Sequence, residues 1–346
     1  MKSKLPSLLL ITLAACSLPL AAPGLSPTPL PTPQILVATQ TAAPADVAIP
    51  STPDARYADL TIDALAARTY GGGEVVEQSV IERTDRFTRT LISYPSDGLN
   101  IVGFANVPHG AGPFPVVILL HGYIDPADYL VVDYTRVYAD WLADSGFIVL
   151  HPNLRNYPPS ESGPNLFRVG FAVDVLNLIA IVRETAGQPG PLERADAERI
   201  GLWGHSMGGG ITLRVLAAGA PVDAAVVYGS MSGDEQLNFD HIFYNLSEEQ
   251  RGLEERAAFA DAPLGSISPI YFYDRIQVPV SIHHGDEDPV VPVAWSEELC
   301  ARLLELGKTA ECFVYAGEDH TFSGWEEYLL MRRTIEFFER YLVAGP

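Results

Sequence analysis

The chain has 346 residues, with 22 basic and 43 acidic side chains, a formal net charge of −21 and 47% hydrophobic residues. This length suits one large α/β domain or two small ones, and the apolar content is ample for a core. The acidic balance argues against a nucleic-acid partner, which needs basic patches facing the phosphates, and reads as a solubility feature that does not identify a substrate.

In chain order, the first feature is a targeting segment over residues 1–15. Lys2 and Lys4 form a positive n-region, and residues 8–15 form an apolar h-region too short to span a bilayer as a mature helix. It ends in Leu13-Ala14-Ala15-Cys16, which resembles the lipobox of bacterial lipoprotein signal peptides. The resemblance implies export across the cytoplasmic membrane of a bacterium, cleavage before Cys16 and lipid on its sulfur. The protein would then meet the membrane only through that anchor, at the cell surface or periplasmic face. A plain secretory signal with an incidental Cys is the alternative. Residues 16–55 are rich in Pro, Ala and Thr and include Pro27-Thr28-Pro29-Leu30-Pro31-Thr32-Pro33, which reads as an extended tether to a domain at 56–346.

Ordered structure is expected from about residue 57. Strands are predicted at 74–82, 87–93 and 100–107, with Pro95-Ser96-Asp97-Gly98 turning between the last two. Together they make an antiparallel edge. An alternating pattern follows: strand 115–120, helix 135–145 ended by Gly146, strand 147–151, and helix 169–184 with Asp174 and Asn177 on its polar side. Strand 200–203, helix 209–217 and strands 224–228 and 278–283 come next, then helix 298–306, strand 311–315 and an amphipathic helix 326–342. Such alternation predicts the α/β class, a mostly parallel central sheet with helices on both faces. Active sites in these sheets lie beyond the carboxyl ends of the strands. The excursion between Tyr228 and Val278 is too long for a turn. Its segment 231–269 reads as a small cap over the site, with Phe239-Asp240-His241-Ile242-Phe243-Tyr244 facing substrate; helices that merely cover the surface are the alternative.

Gly204-His205-Ser206-Met207-Gly208 falls between the 200–203 strand and the 209–217 helix. A serine presented at the tip of so tight a strand-to-helix turn needs small residues two before and two after it, and both are Gly. Its hydroxyl needs a base to take the proton and an acid to orient that base. His320, in the polar loop Gly317-Glu318-Asp319-His320, is the candidate base, since the loop leaves a strand at its carboxyl end. His283 and His284 read as shaping the end of the preceding strand, and His241 as lining a pocket. The acid lies in His284-Gly285-Asp286-Glu287-Asp288-Pro289-Val290-Val291-Pro292, where spacing leaves Asp286 and Asp288 both open. Adjacent His side chains on a strand point to opposite faces, so this stretch is a poor metal pattern and no metal is expected. Leu119-Leu120-His121-Gly122-Tyr123 ends an apolar strand, and the backbone N–H groups of Tyr123 and Met207 are predicted to form an oxyanion hole. Arg155, Asn156 and Tyr157 are either pocket residues or an ordinary surface loop. Cys300 on a helix and Cys312 on the next strand are either a disulfide or two separate buried thiols.

These residues resemble the catalytic domain of the prolyl oligopeptidase family, serine peptidase family S9, within the α/β-hydrolase superfamily. The resemblance spans roughly residues 97–342. It rests on Leu120-His121-Gly122, on Ala143-Asp144-Ser145-Gly146-Phe147-Ile148-Val149, on the run from Arg199 through Ser206 to Gly209, on the 284–292 motif, and on Gly317-Glu318-Asp319-His320-Thr321-Phe322. It implies an α/β-hydrolase fold with Ser206 as nucleophile, Asp288 as acid and His320 as base. Two departures bear on substrate. Larger members carry a gating β-propeller, for which too few residues precede Pro115, and family peptidases often read His-Gly-Gly where this chain has His121-Gly122-Tyr123. The expected activity is hydrolysis of a short peptide or a small-molecule ester through an acyl-enzyme, with no metal or organic cofactor; compact relatives of similar layout cleave esters with the same triad. The rival readings are a carboxylesterase and a surface-anchored binding protein on an inactive hydrolase fold.

Overall fold

A computed structural model describes residues 55–243 and 257–344. The expected signal segment 1–15, Cys16, the expected tether up to residue 54 and residues 244–256 of the expected cap lie outside the described residues. A short helix, α1 (Ile62–Ala67), opens the domain, with the Thr61 hydroxyl accepting the Ala64 N–H as its cap. Strands β1 (Val76–Arg83), β2 (Phe87–Ser96) and β3 (Leu99–Pro108) form the expected antiparallel edge. The β2–β3 hairpin turns through Asp97 (φ 52°) and Gly98 (φ 80°), the two left-handed residues that match the twist of the strands.

The alternating part runs β4 (Phe114–Leu120), α2 (Arg136–Asp144), β5 (Ile148–Pro152), α3 (Val169–Thr185), β6 (Ala195–His205), α4 (Met207–Ala217) and β7 (Ala224–Tyr228). The excursion carries α5 (Glu235–Asn238) and α6 (Leu264–Ile267), and β8 (Val280–Gly285), α7 (Val293–Glu305), β9 (Ala310–Tyr315) and α8 (Gly324–Phe338) complete the domain. The nine strands are ordered β1-β2-β3-β5-β4-β6-β7-β8-β9, and from β5 onward all pairings are parallel.

Strand β4 shows why the sheet is covered on both faces. Val116 to Leu120 are all fully buried. Val116, Ile118 and Leu120 pack into the cluster that holds the apolar residues of α3 and α4, while Val117 and Leu119 pack with Tyr138 and Leu142 of α2 and Phe338 of α8. Alternate side chains of a strand point to opposite faces, so an unbroken apolar run is what two covering layers require. Truncating one such residue, as in Ile118→Ala, would cost about 2–5 kcal/mol through lost transfer energy and the cavity left behind.

The chain leaves β4 toward β5 on one side and leaves β6 toward β7 on the other. Loops diverging from two adjacent parallel strands open a crevice at their carboxyl ends. Leu120 of β4 pairs with Gly204 of β6, so His121-Gly122 and Ser206 emerge side by side into it.

The structure departs from three expectations. Asp174 and Asn177 are not on a solvated face: α3 is wrapped on nearly all sides, both residues are buried, and Asp174 takes its charge partner, Arg155, from the loop after β5. Helix α7 begins at Val293, five residues before the predicted start, because Pro292 occupies its N-cap position and the chain turns directly into the helix. Strand β6 starts at Ala195, since Ala195 already pairs with Phe114 across an irregularity in register. Cys300 and Cys312 form a disulfide between α7 and β9.

Candidate active site

Ser206 sits between the last residue of β6 and the first of α4 with φ 54° and ψ −115°, a conformation that strains any side-chain-bearing residue. Sequence-distant packing holds it there. The Ser206 N–H donates to the Tyr228 carbonyl at 2.9 Å, and its own carbonyl accepts the Met231 N–H at 3.1 Å. The flanking glycines are demanded by contact: a Cβ on Gly204 would lie 2.3 Å from the Gly208 carbonyl oxygen, and one on Gly208 would lie 2.1 Å from that of Leu120. Met207 begins α4, where first-turn N–H groups have no intrahelical acceptor.

The loops after β8 and β9 meet at Asp288 and His320. Asp288 Oδ2 lies 2.7 Å from His320 Nδ1 and 3.1 Å from His284 Nε2. Its Oδ1 accepts the backbone N–H groups of Val290 and Val291, each at 2.8 Å. The carboxylate side chain is fully buried. Burial alone raises a carboxyl pKa, but the hydrogen bonds from His284, His320 and Val291 outweigh it and hold Asp288 well below the usual carboxylate range. Asp286, the other acid left open by spacing, is exposed and accepts the Gly317 N–H at 2.6 Å, which ties the two loops together at their rim.

His205 braces this arrangement from the elbow. Its Nε2 lies 2.8 Å from the His320 carbonyl oxygen, an acceptor only, so Nε2 carries the proton. Its Nδ1 therefore accepts from the Tyr134 hydroxyl at 2.8 Å. Burial, aided by the nearby His320, pulls the His205 pKa down to about 3, and burial keeps the Tyr134 hydroxyl protonated. The same Tyr134 hydroxyl closes on the β4 turn, where a Cβ on Gly122 would fall 2.0 Å from it and 3.1 Å from Ser206 Cβ. The His121-Gly122-Tyr123 turn thus lies against the elbow. The Tyr123 side chain points largely to solvent, and the His121 ring is buried with its nitrogens 2.7 Å from the Gly122 and 2.9 Å from the Asn153 carbonyl oxygens.

The tentative pocket residues fare differently. Arg155 does not reach an open pocket; it is buried in a paired hydrogen bond to Asp174 at 2.8 Å and donates to the Pro164 carbonyl. A charge so far from water is stable only when paired, which draws the side chain inward. Tyr157 is also buried, its ring 4.6 Å from that of His121, so it supports the β4 turn from beneath. His241 is exposed, 3.2 Å from the Val290 carbonyl oxygen beside the acid loop and 5.4 Å between rings from Trp295. His283 and His284 point to opposite faces: the first meets Ser281 and Tyr315, the second Ser296 and Asp288. Among the described residues, no group of three or more His, Cys, Asp or Glu side chains is placed to share a metal ion, and no helix is long and apolar enough to cross a membrane. Sequence reasoning missed Tyr134 and the contact of His284 with Asp288. Tyr134 carries no local signal, while His284 abuts the acid motif and was open to notice.

The model of the prolyl oligopeptidase family matches residues 174–344, a span that holds Ser206, Asp288 and His320. The putative carboxymethylenebutenolidase of Synechocystis sp. is 24% identical over 241 residues, 67% of this chain and 85% of that protein. The acylaminoacyl peptidase of Pyrococcus horikoshii superposes with a TM-score of 0.59 at 20% identity, over 75% of this chain and 42% of that one. The acetyl xylan esterase of Paenibacillus sp. R4 gives a TM-score of 0.59 at 18% identity, over 81% and 92%. This is an α/β-hydrolase fold. The chain spans less than half the length of the Pyrococcus peptidase, and the family match supports the resemblance drawn from its motifs.

Proposed function

We propose that this α/β-hydrolase is a serine hydrolase that cleaves peptide or ester bonds through an acyl-enzyme. The observation that carries the reading is the 2.7 Å contact of Asp288 with His320 Nδ1, the carbonyl of His320 meeting His205, the residue just before a strained Ser206. Asp288 keeps the proton of the neutral imidazole on Nδ1, which leaves Nε2 as the base. Ser206 Oγ attacks the substrate carbonyl while His320 Nε2 takes its proton. The oxyanion is met by the N–H groups of Tyr123 and Met207. His320 then gives the proton to the leaving amine or alcohol, and water, activated by the same nitrogen, releases the acid and regenerates Ser206. The chemistry needs no metal or organic cofactor.

The substrate is a short peptide or a small-molecule ester. The family match favours the peptidase. A specific observation favours a carboxylesterase: the chain covers 92% of the compact acetyl xylan esterase but 42% of the longer peptidase. Matched ester and peptide panels, compared by kcat/KM, separate the two. The primary test is Ser206→Ala, expected to abolish hydrolysis of p-nitrophenyl acetate and labelling by a fluorophosphonate. Retention of either overturns the reading, and failure of the wild type to label points instead to a non-catalytic binding protein.

We further propose that Cys16 carries lipid and anchors the protein outside the cytoplasmic membrane. The Cys300–Cys312 disulfide supports an oxidising compartment. Cys16→Ala should move the protein from the membrane to the soluble fraction of cells; unchanged partition refutes the anchor.

A further inference from the structure

Asp288 receives four donors, and only one of them belongs to the proposed base. Val290 and Val291 fill Oδ1, His320 takes one position on Oδ2, and His284 Nε2 takes the other at 3.1 Å. His284 is fully buried at the end of β8. Its Nε2 faces only acceptors, Asp288 Oδ2 and the Val291 carbonyl oxygen at 2.9 Å, so it carries the proton. Its Nδ1 lies 2.6 Å from Ser296 Oγ on α7 and accepts that hydroxyl. A chain of hydrogen bonds thus runs Ser296, His284, Asp288, His320.

We propose that His284, held by Ser296, is a positioning residue that fixes the Asp288 carboxylate toward His320 and tempers the basicity of His320. The inference rests on the catalytic reading of Ser206, Asp288 and His320 given above. A donor on Oδ2 does two things. It leaves the carboxylate no rotation that keeps all its partners, and it draws off part of the charge that would stabilise a protonated His320. Other ionisable groups flank the pair. Asp286, Glu287 and Asp319 are exposed and screened by water, Glu318 lies half-buried on the loop of the base, and His205 on β6 is buried and neutral, its ring 4.7 Å from that of His320. His284 differs from these groups: its Nε2 proton is shared between the Val291 carbonyl oxygen at 2.9 Å and Asp288 Oδ2 at 3.1 Å.

Without His284, Asp288 should act on His320 with more of its charge. The protonated base is then favoured, and the acid limb of kcat/KM, which reports the free enzyme's base, should move to higher pH. The test uses the full chain and p-nitrophenyl acetate. His284→Ala should lower kcat about tenfold, the effect of one hydrogen bond to a charged group, and raise the acid limb by about half a pH unit. His284→Gln, which can still donate to Oδ2, should recover part of both. Ser296→Ala keeps the imidazole but weakens its polarisation, and should shift the limb the same way by less; it keeps the proposal testable where His284→Ala does not fold. An acid limb that stays at the wild-type pH in His284→Ala, or in Ser296→Ala where the former cannot be purified, overturns the proposal. Activity surviving in Ser206→Ala overturns the catalytic reading instead, so the two failures are distinct.

Discussion

Replacing Asp288 by Asn would change almost nothing in shape and nearly everything in proton placement. The amide must choose which arm faces which donors. The Val290 and Val291 N–H groups, both at 2.8 Å, cannot reverse, so the amide oxygen must sit at the Oδ1 position. The NH2 group then faces His320 Nδ1 and His284 Nε2. His284 keeps the Val291 carbonyl oxygen at 2.9 Å as its acceptor, but His320 Nδ1 meets a donor where it met a carboxylate. The neutral ring responds by moving its proton to Nε2, the nitrogen that accepts from Ser206 in the proposed mechanism. Loss of the correct tautomer in a comparable triad lowers kcat by about 10⁴, equivalent to about 5.5 kcal/mol of transition-state stabilisation. Burst and steady-state kinetics on p-nitrophenyl acetate, with circular dichroism to confirm folding, measure this. Asp286→Asn is the matched control: Asp286 is exposed and holds only the Gly317 N–H, so its loss should cost less than about tenfold. A folded Asp288→Asn enzyme within tenfold of wild type, or a larger loss in Asp286→Asn, refutes the assignment of the acid.

Three further outcomes follow from the same contacts. Glu235 is buried between the guanidinium groups of Arg168 and Arg214 and pins the start of the excursion to the body of the domain. Glu235→Ala removes the carboxylate that the two buried guanidinium groups share and should cost about 3–5 kcal/mol, or about 5–8 °C in Tm at about 2.1 cal/mol/K per residue over roughly 290 residues; a melt shifted by less than one degree would show the network to be neutral. Breaking Cys300–Cys312, which closes a segment of sequence separation 12, should cost about 3 kcal/mol, seen as a lower Tm for Cys300→Ser/Cys312→Ser and for wild type under reductant. Asp288 has a folded pKa below its ordinary value of 3.8, so the stability it contributes is fully present above that pH and drains away as the pH falls below it. Denaturation by urea below pH 4 should therefore show a shallower pH dependence in Asp288→Asn than in wild type, and equal slopes would contradict the depressed pKa.

The elements were legible because their signals are local. Apolar runs such as 115–120 and 224–228 name buried strands, and Gly204-His205-Ser206-Met207-Gly208 names a turn in which a Cβ on either glycine would fall 2.3 or 2.1 Å from a backbone carbonyl oxygen. The same local logic gave α3 a polar side at Asp174 and Asn177, where the helix is buried nearly all round. Periodicity along one helix cannot register that Arg155 arrives from another loop to pair with Asp174. For Arg155 and Tyr157 pocket and surface loop stay equally open in the sequence for the same reason: a loop position shows no facing until the chain around it is packed.

Read alone, the chain sets its alternating architecture, its elbow and the order in which a serine, an acid and a histidine follow one another. All of these are written in contiguous residues through hydrophobic period, turn chemistry and spacing. Bringing Asp288 rather than Asp286 against His320, bonding Cys300 to Cys312, seating Tyr134 between Gly122 and His205, and placing His284 beside Asp288 belonged to the tertiary structure. Each joins side chains from different loops or elements, such as Asp288 and His320, 32 residues apart, or His205 and the His320 carbonyl, 115 apart. Such distances close only when the strand order brings the carboxyl ends of β4, β6, β8 and β9 to one edge of the sheet, and no local pattern encodes that convergence.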